Sequence, residues 1–321
     1  MCSSDLVNGV AGALVDYSSG TKPVFYGASA DSGAYSAYLI NQTVESVLDR
    51  RAVGAEWRYF QDKRSAYALI DYDTNFNALN AAQLTGTLGL TGMSLNMMLD
   101  HRKTPSLSIR TALNGANTSS ISDLQQVLSA SALRDLALAR TATSNMGQIG
   151  VTLPFAGKWQ VGGDLRLSNT TGTPASGTDP ATNGGISVPE GFVPAIPSRG
   201  TEKIVSGQLI GSGLYKAGDI WSMSGSVGSS GTVNSTSLFF YNHTAFNSSW
   251  AMDSSLQLSR YTDQFNAVST RISPMLRGEY RIGEQLTFDV DGGIESNKNE
   301  GDQVSTRTLR VFGSAGLRWY F

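Results

Sequence analysis

The final segment of the chain constrains its fold more tightly than any other. Between residues 309 and 321, Leu309, Val311, Gly313, Ala315, Leu317, Trp319 and Phe321 alternate with Arg310, Phe312, Ser314, Gly316, Arg318 and Tyr320. A period of two belongs to a strand, whose successive side chains leave opposite faces. One face is therefore apolar along its whole length, and the other carries two arginines. An arginine presented to lipid near the midplane of a bilayer costs about 2–4 kcal/mol. The pattern accordingly aims the apolar face at lipid, and Arg310 and Arg318 into a lumen.

The same polarity recurs upstream. Leu286, Phe288 and Val290 oppose Asp289 and Asp291, while Ile272, Leu276 and Tyr280 oppose Arg271, Arg277, Glu279 and Arg281. Glu56 and Arg58 oppose Trp57 and Tyr59; Asp71 and Asp73 oppose Ile70 and Tyr72; Asp164 and Arg166 oppose Trp159, Val161, Leu165 and Leu167. The expected lumen lining is thus Glu56, Arg58, Asp71, Asp73, Asp164, Arg166, Arg271, Arg277, Glu279, Asp289, Asp291, Arg310 and Arg318. Pro274 cannot donate a ladder hydrogen bond, so a bulge or a locally unpaired position is expected there. Further strands are expected at 53–60, 65–73, 81–90, 95–101, 107–114, 146–155, 159–168, 204–215, 220–227, 237–243 and 250–259. The stretches 10–17, 24–30 and 35–42 can be paired in more than one way. The fold class expected is all-β: a transmembrane antiparallel up-and-down β-barrel of about 16 strands (14–16).

Connection lengths point the same way, because outer-membrane barrels alternate short periplasmic turns with longer external loops. Short turns at 103–106, 156–158, 216–219, 244–249 and 282–285 fall on one side; 116–145, 170–201, 228–235, 262–266 and 297–305 fall on the other. In the loop 116–145, residues 122–139 read as one short helix, with a capping box at Ser122 and Gln125 and with Leu124, Val127, Leu128, Leu133 and Leu136 near one face. Residues 170–201, rich in Gly, Pro, Ser and Thr, read as a mobile external loop. Both are expected to restrict the external mouth.

Composition sets the remaining limits. With 16% charged residues and a net charge of −2, the chain offers nucleic acid no electrostatic footprint. No run approaches the roughly 18 apolar residues of a spanning helix, which says nothing against strands. Cys2 is the one cysteine, and no cluster with metal-ligand or cofactor-binding spacing is evident. Residues 1–6 (MCSSDL) resemble a translated adapter scar; the barrel is expected over 7–321, with a periplasmic domain once upstream.

No catalytic constellation is expected. His101, at a strand end near the periplasm, and His243 read as interfacial or structural. The carboxylate pairs Asp71/Asp73 and Asp289/Asp291, at a spacing of two, read as wall residues pairing with Arg271, Arg277, Arg310 and Arg318 across strands about 5 Å apart. Such a wall either selects solutes or stiffens the interior, and both readings stay open. Trp57, Tyr59, Trp159, Trp221, Trp250, Tyr280, Trp319 and Phe321 near strand ends read as aromatic girdles at the two interfaces. Tyr67, Phe239 and Tyr241 are the inward candidates for stacking on sugar.

Leu317-Arg318-Trp319-Tyr320-Phe321 resembles the terminal-strand signature of outer-membrane proteins. The resemblance implies outer-membrane location, surrounding lipid and lipopolysaccharide, and the barrel-assembly machinery as a partner. Residues 48–60 (LDRRAVGAEWRYF), Ile70-Asp71-Tyr72-Asp73 and residues 138–142 resemble stretches of large bacterial proteins that carry tetratricopeptide repeats ahead of a C-terminal barrel. Some relatives of that architecture export exopolysaccharide, so the resemblance implies the pore part of an export system, with a polymer or a periplasmic repeat domain as partner. This chain departs from them in lacking a repeat of about 34 residues. The alternative is a non-conducting barrel serving as an anchor or surface-interaction module.

Overall fold

The structure is a computed structural model and describes residues 22–29, 33–301 and 305–320, the first of these segments by backbone alone. The expected strand at 10–17, the scar-like start and Phe321 lie outside the described residues.

The strands are β1 (Lys22–Ser29), β2 (Gly33–Val44), β3 (Val47–Gln61), β4 (Arg64–Asp73), β5 (Ala78–Leu90), β6 (Met93–Thr104), β7 (Ala142–Phe155), β8 (Trp159–Thr170), β9 (Ser176–Gly177), β10 (Phe192–Val193), β11 (Thr201–Ser212), β12 (Ile220–Ser229), β13 (Val233–Ala245), β14 (Trp250–Asp263), β15 (Val268–Ile282), β16 (Leu286–Glu300) and β17 (Ser305–Trp319); the helices are α1 (Ile121–Gln125) and α2 (Ala130–Ala139). Apart from the small β9–β10 pair, the strands form one 15-stranded sheet in chain order, with β11 following β8. This is the expected all-β, antiparallel up-and-down class, with the described strands inside the expected count. Strands such as β3, β15, β16 and β17 run to 15 residues. That exceeds the roughly 9–11 needed to cross a bilayer and far exceeds the usual 5–6 of globular sheets.

Contacts divide the chain into two compact units. The first comprises Met1–Gly89, Asn96–Gln148 and Ser168–Gly200 and holds both long insertions. The second comprises Leu90–Leu95, Ile149–Leu167 and Thr201–Phe321.

In the second unit the register runs from β11 to β17, and across β14 to β17 it separates a charged face from an apolar one. Across β14 to β17, Asp253 faces Arg277, Arg277 faces Asp291, and Asp291 faces Ser314. One residue along, Leu276 and Val290 belong to the opposite face and are exposed. Pro274 pairs with Leu256 on β14, but the β15–β16 ladder skips from Ile272 to Met275. The unpaired position expected from the missing proline N–H is therefore present, without a change of register.

The first unit contains the packed apolar core. Leu107, Ile109, Ala112, Ile121, Leu124, Leu133 and Ala137, all from the insertion between β6 and β7, cluster with Val47 at the start of β3 and Phe76 in the β4–β5 turn. Three expectations are corrected here. Residues 107–114 are not a strand but contain a 3-10 turn, Ile109–Leu113, capped by Ser108. Their alternation is consumed by the insertion's own core, the ambiguity inherent in short apolar runs. Residues 122–139 form two helices instead of one; the N-caps are Ser120 and Ser129, and Val127 is exposed. Residues 170–201 are tied down by the β9–β10 pair, a bridge between Thr173 and Ile196, and bonds to the first insertion. The expected turn at 103–106 and the loop at 116–145 thus merge into one long connection, 105–141.

Candidate functional site

Two features concentrate chemistry: the charged face of each unit, and the insertion 105–141 docked on strand ends of the first.

The docking depends on two bulges. Between β2 and β3 the pairing passes from Gln42↔Arg50 to Thr43↔Leu48, which leaves Asp49 unopposed. Between β4 and β5 it passes from Asp71↔Ala81 to Tyr72↔Leu79, which leaves Asn80 unopposed. A bulge re-aims the side chain of its extra residue, and both extra residues grip the insertion. Asp49 Oδ1 accepts from the Ser108 hydroxyl and the Ile109 N–H, each at 2.7 Å, and Asn80 Oδ1 accepts from the Leu107 N–H at 2.9 Å. In the β2–β3 turn, Glu45 Oε2 accepts from the Ser120 hydroxyl at 2.6 Å and from the Ser122 N–H and hydroxyl at 2.9 and 3.0 Å. The Ser120 hydroxyl above all, with the Ser122 donors, holds the Glu45 carboxyl below its ordinary pKa. The two insertions are buckled together by Arg140, which is buried and donates to Ser176 Oγ (3.1 Å), the Glu190 carbonyl (2.8 Å) and the Ala112 carbonyl.

The charged face of the first unit centres on Arg50. Its guanidinium pairs with Asp71 and lies 3.4 Å from Asp73, which is fully buried and accepts from the Asn75 and Phe76 N–H groups at 2.8 and 3.0 Å. Tyr38 donates to Asp71 at 2.9 Å and lies flat over Gly54, where an added Cβ would fall 2.0 Å from the ring. Arg58 donates to Glu56 at 2.9 Å and stands 5.6 Å from the centre of the Tyr67 ring. Asp71 and Asp73 therefore pair with Arg50, a residue not among the expected lining. Asp100 and Arg102, also missed, form a two-point pair at 2.6 and 2.7 Å.

In the second unit Arg318 bridges Glu279 at 3.2 Å and Asp289 at 3.5 Å; Arg277 reaches Asp289 at 3.8 Å, and Arg271 pairs with Glu295. Asp291 takes the Ser314 hydroxyl at 2.6 Å instead of an arginine. Arg310 lies opposite Glu295 in register, but Glu295 is engaged by Arg271. Asp164 accepts from Ser206 at 3.4 Å, and Arg166, two residues on, shares its face. In each unit these charged residues lie on one face of their strands.

That face also holds a cluster that spacing alone did not reveal. Asp253 Oδ1 accepts from Tyr241 Oη at 2.9 Å and contacts His243 Nδ1 at 2.7 Å. Among the described residues no hydroxyl or thiol bonds to His243. His101 needs correcting: it sits where β6 leads into the long insertion, not at a short turn, and bonds Asn145 at 2.7 Å.

Trp57, Tyr59, Trp159, Trp221, Trp250, Tyr280 and Trp319 lie on the opposite face. Trp57 stacks on Tyr59 at 5.9 Å, Trp250 meets Tyr280 at 4.4 Å and Trp221 meets Phe240 at 5.8 Å. Each tryptophan lies beside the end of a strand that borders a short connection: Trp57 before 62–63, Trp159 after 156–158, Trp221 after 213–219, Trp250 after 246–249, and Trp319 at the last strand's end. The tryptophans thus gather at one kind of strand end, while Tyr261 and Phe265 are exposed at the other. In the turn 213–219, Asp219 is fully enclosed. Its burial opposes ionisation, but the Trp221 indole and the N–H groups of Tyr215, Lys216 and Leu214 outweigh it and hold the carboxyl at about 2.

Neither a protein-family model nor a curated protein matches the chain. Among solved structures it is similar over 89% of its length to in-vitro folded OmpT, an outer membrane protein of Vibrio cholerae, with 94% of that chain covered, 10% identity and a TM-score of 0.38. It is also similar over 94% of its length to a bacterial polysaccharide outer membrane secretin, with 94% of that chain covered, 9% identity and a TM-score of 0.35.

Proposed function

We propose that the sheet closes on itself in a bacterial outer membrane, with its apolar face to lipid and its charged face lining a lumen, and that the chain is a channel narrowed at its long-loop mouth by the docked insertion. The observation that carries this reading is the gathering of paired Arg, Asp and Glu on one face of strands whose other face, short of its end row, is exposed and apolar. Water on one side and lipid on the other is the environment that satisfies both. Closure would also remove the open edges of the two end strands.

The pore belongs to an export system in this reading. Tyr38 and Tyr67 in the first unit, and Phe239, Tyr241 and Phe312 in the second, share the charged faces of their strands. They offer flat apolar surface beside hydrogen-bonding groups, the combination that a passing polysaccharide uses.

The second reading, a non-conducting anchor, is favoured by the density of ion pairs on the same faces. Single-channel conductance of the refolded chain in a planar bilayer separates the two. The channel reading expects a steady current that grows in Asp49→Ala/Asn80→Ala, which frees the insertion. No current in either protein, both shown to be folded by heat-modifiable gel mobility, would establish the anchor.

A further inference from the structure

The apolar face of the second unit ends in a row of cations. Arg260 on β14 pairs with Thr270 on β15, Thr270 with Lys298 on β16, and Lys298 with Arg307 on β17. Two residues along each strand, the same face carries Leu258, Ile272, Ser296 and Leu309, followed by Leu256, Pro274, Ile294 and Val311. The row thus lies at the border of the apolar surface, at the strand ends that lead to 264–267 and 301–304. Neighbouring strands are about 4.8 Å apart, so Lys298 and Arg307 stand side by side and Arg260 lies about 10 Å from Lys298. Arg260 has no hydrogen-bond or ion-pair partner among the described residues. Among the described residues Arg307 makes only a long bond to Ser296 (3.4 Å), and Lys298 pairs with Glu300 at 2.6 Å.

A second feature lies below it on the same strands. Gly292 and Gly313 pair across β16 and β17. An apolar hollow of about 340 Å³ lies at Gly292, lined by Pro274, Leu276, Ile294 and Val311 of this face and also by Met275, Gly293 and Phe312 of the other. Arg307 and Gly313 are about 20 Å apart along the strand at the rise of an extended chain, a separation that one acyl chain can bridge.

We propose that this face binds a lipid with two phosphates and several acyl chains, the chemistry of an outer-leaflet phosphorylated glycolipid. One phosphate sits on Arg260 and the other between Lys298 and Arg307, displacing Glu300 from Lys298, and one chain fills the hollow at Gly292. The separation of the two cationic points favours a bisphosphorylated headgroup over a single-phosphate phospholipid. The inference rests on the membrane reading above, which fixes the apolar face toward lipid.

The test uses the full chain refolded in detergent micelles, titrated with bisphosphorylated lipid A, its monophosphorylated form, or phosphatidylglycerol, with adducts counted by native mass spectrometry. Bisphosphorylated lipid A is expected to bind about tenfold or more tightly than the other two. Replacing the row, as Arg260→Gln/Lys298→Gln/Arg307→Gln, should remove that advantage, the equivalent of one or two charge-assisted bonds. Glu300→Gln should strengthen binding. Gly292→Leu should weaken it through the hollow alone, since a Cβ there meets nothing closer than 3.7 Å. Equal binding by wild type and the triple variant, or by lipid A and phosphatidylglycerol, overturns the site in a chain that folds and inserts into vesicles. A chain that does not insert overturns the membrane reading, and this inference with it.

Discussion

Freeing the insertion is the sharpest test of how the charged face is controlled. Asp49→Ala removes one acceptor serving two donors, of which the Ile109 N–H is buried, and Asn80→Ala strands the buried Leu107 N–H. A hydrogen bond to a charged group contributes about 1.5–3 kcal/mol, and a neutral one about 1. Allowing for water that enters to replace them, the pair of substitutions should weaken docking by about 3–5 kcal/mol. Even the lower figure raises the undocked population about 150-fold. Arg110 is exposed and Arg134 partly so, both within the insertion, so trypsin reports the undocked state there. When opening is fast relative to cleavage, the rate follows the open population. Cutting after Arg110 and Arg134 should therefore rise by about two orders of magnitude, while cutting within β14 to β17 stays constant. Rates at both arginines within threefold of wild type, in protein of native gel mobility, would refute the bulge-clamp reasoning.

Other expectations follow from single contacts. Asp219→Asn should abolish an acid transition seen in Trp221 fluorescence: the depressed carboxyl stabilises the turn above its unfolded value near 3.8 and loses that contribution as pH falls toward about 2. Gly54→Val should disorder the first unit's charged face because a Cβ there strikes the Tyr38 ring; Tyr38→Ala should rescue it, as judged by thermal stability. Arg50→Met leaves Asp73 buried beside Asp71 without its cation and should destabilise by about 3–5 kcal/mol, measured as a lower urea midpoint for unfolding.

The strands were legible because their environment is one-dimensional: each residue leaves either the exposed apolar face or the charged one, and parity states which. Glu279, Asp289, Arg277 and Arg318 could be placed on one face from alternation alone, and Pro274 could be flagged from its missing N–H. Pair identities were not legible, since they depend on register. Asp71 meets Arg50 because β2, β3 and β4 stagger as they do, whereas Arg310 loses Glu295 to Arg271. The insertion was misread because Leu107, Ile109 and Thr111 alternate as a strand would, and only tertiary packing against Leu124 and Leu133 decides against one.

The bulges explain how a regular sheet serves two masters at residues 49 and 50. In an unbroken strand these neighbours leave opposite faces, so a carboxylate gripping the insertion and an arginine pairing with Asp71 and Asp73 could not both act on the same side. The extra residue in β3 lifts that restriction: Asp49 reaches the Ile109 N–H while Arg50 keeps its carboxylates. The bulge in β5 does the same for Asn80 beside Ala81, the partner of Asp71. Deleting Asp49 would restore regular pairing on β3 yet leave the Ile109 N–H buried without an acceptor. A shorter, more regular strand should therefore hold the insertion more loosely, with trypsin cutting at Arg110 faster than in wild type but slower than in the double substitution, where Asn80 is lost as well. Unchanged cutting in the deletion would mean that the insertion's apolar core, and not the bulge, holds it in place.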